Sequence, residues 1–136
     1  MRIHRRLFGL LLLLAWAPAA LAQLPDEARI RDTITRQLNA MNRGDEAAAF
    51  AIASPMIQGM FLDAPTFMRM VQQGFPQVYR SRGHQYLKLV STDDGRLVQR
   101  VLIEHDGGSV VARYEMVEID GVWRINGCSL ETAQDA

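Results

Sequence analysis

Three acidic turn signals in the second half of the chain restrict its architecture more than any other feature. Asp93-Asp94-Gly95, Asp106-Gly107-Gly108 and Asp120-Gly121 divide the region into four apolar, β-branched runs, at residues 85–92, 97–105, 109–119 and 122–130. Aspartate and glycine suit the positive-φ positions of tight hairpins. Strands joined by such short turns must pair antiparallel, so the runs predict a four-stranded meander. At 8 to 11 residues these strands exceed the usual 5 or 6. Long strands twist and curl, which gives a sheet a concave side that helices can cover. On the third run Val110, Ala112, Tyr114 and Met116 share a face, and on the fourth Trp123, Ile125 and Gly127 do, against Arg124 and Asn126. Both sets are expected to face the helices.

The first half carries the helical period. Ile30, Ile34, Leu38 and Met41 form one apolar stripe in a helix that Asp26 can cap and that ends at about Asn42, with Gly44 as its stop. Asp45 caps a short second helix to about residue 53, with Phe50 available to the core. Ser54-Pro55 opens a further helical turn with Met56, Ile57, Met60 and Phe61 as its apolar residues. Asp63-Ala64-Pro65 starts another helix, because Pro65 sits where a missing N–H costs nothing. That helix runs to about Gln73, with Phe67, Met68, Met70 and Val71 mostly inward, and Gly74-Phe75-Pro76 stops it. Helices followed by an antiparallel sheet make an α+β domain, with the N-terminal helices packed on one face of a curved four-stranded meander. The tail from Glu131 to Ala136 is expected to fray.

Residues 1–22 read as a cleavable signal peptide. Arg2, His4, Arg5 and Arg6 form a basic head, residues 7–14 are an almost unbroken apolar run, and Ala20-Leu21-Ala22 is a small-x-small cleavage pattern. The apolar stretch is short for a spanning helix, so no permanent membrane anchor is expected. Cleavage after Ala22 leaves residues 23–136 as a single domain with its core at about residues 30–130. The protein is expected to be exported, and periplasmic if its source is a Gram-negative bacterium. Arg5-Arg6 leaves the general secretory and twin-arginine routes both open. The segment carries three arginines and no acid, so the mature 114 residues hold 12 basic against 15 acidic side chains. No basic patch stands out, which argues against nucleic acid as a partner. Cys128 is the only cysteine, so the exported domain has no internal disulfide, and the residue reads as a buried small apolar group rather than a reactive thiol.

Several stretches carry a family resemblance. The closing hairpin Asp120-Gly121-Val122-Trp123-Arg124-Ile125, after helices and a long meander, resembles the ketosteroid-isomerase-like superfamily, also called nuclear-transport-factor-two-like or SnoaL-like. Ala53-Ser54-Pro55-Met56-Ile57-Gln58, Phe67-Met68-Arg69-Met70-Val71 and Trp123-Arg124-Ile125-Asn126-Gly127-Cys128 resemble, more narrowly, a bacterial family of small exported proteins catalogued as a domain of unknown function. The resemblance spans about residues 30–130. It implies a cone-shaped fold with a pocket between sheet and helices, and no assigned activity.

Signatures of catalysis are absent: there is no nucleophile elbow, H-E-x-x-H, phosphate-binding glycine loop or paired-cysteine metal site. His84, His105 and Cys128 could in principle form a Cys-His pair or a three-ligand metal site, but both histidines sit beside turn glycines, where solvated histidine is ordinary. The methionine pair Met68 and Met70 could suggest cuprous copper, yet i,i+2 residues on a helix point apart, so core filling is the preferred reading. Enzymes of the superfamily need a desolvated acid with a tyrosine. Tyr114 is a candidate hydroxyl and Tyr86 a weaker one, but Glu104 and Glu115 have outward parity and Glu118 lies at a strand end. One bulge would flip any of these assignments. No catalytic residue, metal or cofactor is therefore assigned.

The resulting expectation is a non-enzymatic domain binding a small apolar ligand, or a protein partner, in a pocket lined by Met60, Phe67, Tyr114 and Trp123. The alternatives are an isomerase- or cyclase-like enzyme using Tyr114 with an unplaced acid, and a structural module of the envelope. Outward parity of Leu102, Val117 and Ile119 makes the outer sheet face a candidate homodimer surface.

Overall fold

A computed structural model describes residues 26–132. Residues 1–25, on which the signal-peptide expectation falls, and residues 133–136 lie outside the described residues. The elements are α1 (Asp26–Asn42), α2 (Glu46–Ile52), α3 (Pro55–Phe61), α4 (Ala64–Gly74), α5 (Pro76–Tyr79), β1 (Gly83–Ser91), β2 (Leu97–His105), β3 (Gly108–Ile119) and β4 (Val122–Leu130). The strands form one open antiparallel sheet in the order β1-β2-β3-β4. The meander read from the turns is thus the observed sheet. Asp120 and Gly121 both adopt positive φ, at 50° and 76°, the pairing a two-residue hairpin turn demands.

Each helix from α2 to α4 begins where a short polar side chain can accept a backbone N–H. Asp45 accepts from Ala48 at the start of α2, Ser54 from Ile57 at the start of α3, and Asp63 from Thr66 at the start of α4. Along α1 the stripe of Ile30, Ile34, Leu38 and Met41 is buried, widened by Thr33, Gln37 and Ala40. Its outer face carries Glu27–Arg31 and Asp32–Arg36 pairs at 2.6 and 3.0 Å, the i,i+4 spacing at which opposite charges support a helix. The core gathers this stripe with Phe67, Met68 and Val71 of α4, Val101 and Ile103 of β2, Ala112, Tyr114 and Met116 of β3, and Ile125 of β4.

Two bulges depart from regular alternation. In β4 the register shifts so that Gly127 pairs with Glu115 while Ile125 pairs with Met116, leaving Asn126 as the extra residue. Gly127 therefore sits on the outer face beside Glu115, not on the helix face as the alternation predicts. Cys128, opposite Tyr114, takes the inward position instead. In β1 the register shifts between Tyr86 and Leu89. The carbonyls of Leu87 and Lys88 accept from the side-chain amide of Gln99, at 2.9 and 3.4 Å, which satisfies the amide nitrogen of this fully buried glutamine, while its Oε1 has no partner.

Other expectations need correction. The one-turn helix α5 starts immediately after the predicted stop, because Pro76 serves equally as a first helical residue. Met56 of α3 is exposed, as is Leu62 beyond it. Leu62 has φ 70° and ψ −39°, and Asp63 N donates to Phe61 O at 2.8 Å across it. This is a γ-turn of the strained hand, unusual for a branched side chain. Glu131 does not fray. Its backbone N–H continues the ladder to Val111 O at 2.8 Å, and its carboxylate, with a side chain only 6% exposed, bridges Arg100 at 2.7 Å and Arg113 at 3.4 Å. Those arginines are cross-strand neighbours on the outer face, so the carboxylate offsets a like-charge contact.

Hydrogen bonding from Arg100 holds the Glu131 carboxyl below its ordinary value of 4.5. A carboxylate with a lowered folded-state pKa contributes stability that is present above the unfolded value and lost as pH falls through the folded one. Glu131→Gln is thus expected to cost about 1 kcal/mol at pH 7, a gap that urea titrations should show narrowing as pH falls below the ordinary 4.5 and closing once the folded carboxyl is protonated. Leu62→Gly should leave thermal stability unchanged or raise it, since glycine relieves the positive φ.

Candidate functional site

A cleft of about 220 Å³ opens between the helices and the sheet. Its helical wall comes from Gln37 and Met41 of α1, Ile57, Met60 and Phe61 of α3, and Met70 and Val71 of α4; Tyr114, Ile125 and Cys128 supply the sheet side. Phe67 contributes its ring, flanked by Phe50 at 5.6 Å and Phe61 at 5.9 Å between centroids. Such tilted and edge-on aromatic contacts fix the wall's shape. No charged side chain lines the cleft.

The position of α3 determines that the cleft exists. Ser54 joins the helices to β4: its N–H donates to Ile125 O at 2.8 Å and its hydroxyl to Asn126 Oδ1 at 2.7 Å. Asn126 in turn donates to Glu115 at 3.2 Å. Gln58 donates to the carbonyls of Phe50 and Ala53, both at 3.1 Å. Helix α3 is therefore held by polar contacts at its start and along one side, while none of its residues is fully buried. Met60 stands at the cleft mouth, 65% exposed.

Tyr114 and Cys128 are adjacent on the sheet side. Tyr114 is 1% exposed, and its hydroxyl is buried without a hydrogen-bond partner. Burial raises its pKa well above the usual tyrosine value. Burial likewise pushes the Cys128 thiol up to about 12. Both groups are neutral at any physiological pH, and the thiol is no nucleophile, since thiolate is the reactive form.

Met60, Phe67 and Tyr114 meet at this cleft. Trp123 does not. It faces a separate surface depression with Arg29, Asp32, Thr33 and Arg36 of α1, because its strand extends past the cleft towards the β3–β4 turn. Tyr86 is also elsewhere: its hydroxyl donates to Arg31 O at 2.7 Å and lies 2.6 Å from Thr35 Oγ1. Ile57, Phe61, Met70 and Cys128 were not assigned to the pocket by the sequence. The first three carried a helical-period signal, whereas Cys128 depended on the bulge.

No acid approaches Tyr114 among the described cleft residues. Glu115 pairs with Arg96 at 3.1 Å on the outer side, and Glu118 lies 3.6 Å from Arg29. His84 packs edge-on against Tyr86 at 5.2 Å and pairs with Ile103, whereas Cys128 lies in the row of Tyr114 and Gln99, so the three candidate ligands do not converge. Among the described residues no group of three or more His, Cys, Asp or Glu is placed to hold a metal ion. No helix of the described residues is long and apolar enough to cross a membrane.

Comparison with known proteins agrees with the fold. The family model described as a domain of unknown function (DUF4864) matches residues 23–136. No curated protein matches. An NTF-2 like protein of unknown function from Shewanella oneidensis MR-1 shares 15% identity and a TM-score of 0.53, over 78% of this chain and 98% of its own. Aln2 from a Streptomyces species shares 14% identity and a TM-score of 0.52, over 82% of this chain and 93% of its own. At such identities the likeness speaks to the fold alone.

The Cys128 environment yields a direct expectation. At pH 8 the folded protein should react with a disulfide-exchange reagent at least a hundredfold more slowly than the urea-unfolded chain. Stopped-flow absorbance of the released thiolate measures both rates.

Proposed function

We propose that this chain, which belongs to the DUF4864 family of domains of unknown function, binds a small apolar molecule in the cleft between its helices and sheet. The cleft itself carries the proposal: an opening of about 220 Å³ walled by methionine, phenylalanine and aliphatic side chains, with no charged group. An apolar cavity of roughly 150 Å³ accommodates benzene, so this one suits a guest of about nine non-hydrogen atoms. Methionine suits such a wall because its unbranched, polarisable chain adapts to guests of different shape.

We also propose that binding takes place outside the cytosol. The basic head, apolar run and Ala20-Leu21-Ala22 pattern support export, and the family match begins at Gln23, the residue after the inferred cleavage point. The uncharged thiol suits an oxidising compartment, since a group with a pKa of about 12 resists disulfide exchange.

Cumene, with nine non-hydrogen atoms, is a suitable probe. In methyl-labelled protein, its ring current should shift the Met41, Met60 and Met70 methyl resonances, which line the cleft, and leave that of exposed Met56 in place. Shifts spread over all the methionines, or none, would refute the site. Met60→Glu puts a charge at the mouth; it should weaken cumene binding about tenfold with stability changed by less than about 0.5 kcal/mol.

A further inference from the structure

We infer that the guest is a neutral amphiphile, an apolar body bearing one uncharged oxygen group that accepts a hydrogen bond from the Tyr114 hydroxyl. This rests on the apolar-cleft reading and adds the nature of the head group.

Tyr114 belongs to the cleft wall, and its hydroxyl is buried and unpartnered. A hydroxyl left unpaired in apolar surroundings is costly, and folded proteins retain few. The neighbours do not serve it. Cys128, opposite on β4, lies close enough to interact with it, but offers only a protonated thiol, a weak donor and weak acceptor that a ligand oxygen outcompetes. Gln99, opposite on β2, directs its amide nitrogen to the carbonyls of Leu87 and Arg100, each at 2.9 Å, and its Oε1 is itself buried without a partner, not joined to the hydroxyl. The Tyr86 hydroxyl is engaged with Arg31 and Thr35. The Gln37 amide, the other polar side chain on the wall, donates to Ala49 O at 3.2 Å.

Charge sets the second half of the inference. No cation or anion lines the cleft, and both Tyr114 and Cys128 stay protonated because burial disfavours their anions. A carboxylate or ammonium head would be desolvated without a counter-charge, which is far more costly than burying a carbonyl or hydroxyl. The cleft therefore selects ketones, esters or alcohols over acids of the same shape. A phenolic O–H donating to a ligand oxygen fixes the orientation of the guest, head to the sheet and body towards Phe61 and Met60.

Acetophenone, cumene and benzoate test this, since each has nine non-hydrogen atoms and they differ in the head. Titrations at pH 7 should show benzoate binding at least a hundredfold more weakly than acetophenone. Tyr114→Phe should weaken acetophenone about tenfold and leave cumene unchanged. The infrared carbonyl band of acetophenone bound to the unsubstituted protein should lie at lower wavenumber than in hexane, a readout that does not depend on the variant folding. An unshifted band, equal loss of acetophenone and cumene on Tyr114→Phe, or benzoate binding as tightly as acetophenone would overturn the inference. Cumene binding without those signatures leaves the apolar-cleft reading intact and removes this one. If cumene also fails to bind, both fall.

Discussion

The bulge at Asn126, with its hydrogen bonds to Ser54 and Glu115, sets the arrangement on which the interior depends. One extra residue in β4 reverses the parity of everything after it. Without it Gly127 would look inward and Cys128 outward, and the sheet side of the cleft would lose the side chain opposite Tyr114. The same residue ties the sheet to the α2–α3 junction, where Ala53 bridges Ile125. A single irregularity thus decides both which groups line the cleft and where its helical wall stands.

The row across the sheet at this level, Leu89, Gln99, Tyr114 and Cys128, combines two ways of burying polar groups. Gln99 fills the β1 bulge with its amide, turning irregular backbone into satisfied carbonyls. Tyr114 is surrounded by apolar packing with its hydroxyl left unmet. Within one row, backbone irregularity is absorbed by the Gln99 amide nitrogen, while the Gln99 Oε1 and the Tyr114 hydroxyl are both buried without a partner.

Much of the fold was legible because its signals are local. The acidic-glycine turns, the caps at Asp45 and Asp63, the helix start at Ser54-Pro55 and the α1 stripe each act within a few residues, and each appears where the sequence predicts it. The misses share a different cause. Register shifts, the docking of Glu131 between Arg100 and Arg113, and the departure of Trp123 from the cleft depend on groups far apart in sequence. Alternation gave Trp123 the correct face of its strand but could not show how far the helices extend over that face. Met60, Phe67 and Tyr114 were legible as an apolar set. Cys128 was not, because an inserted residue in a strand has no side-chain signature of its own.

The γ-turn at Leu62 bears on kinetics rather than affinity. It stores conformational strain at the end of α3, a seven-residue helix that buries none of its side chains fully. Such a segment opens at a small fraction of the free energy needed to unfold the core around α1 and the sheet. If guests bind as proposed, they would enter and leave by local rearrangement of α3, with residence time set at that joint and selectivity at Tyr114. The two properties can evolve separately, one through the backbone of a surface turn and the other through the chemistry of a buried row.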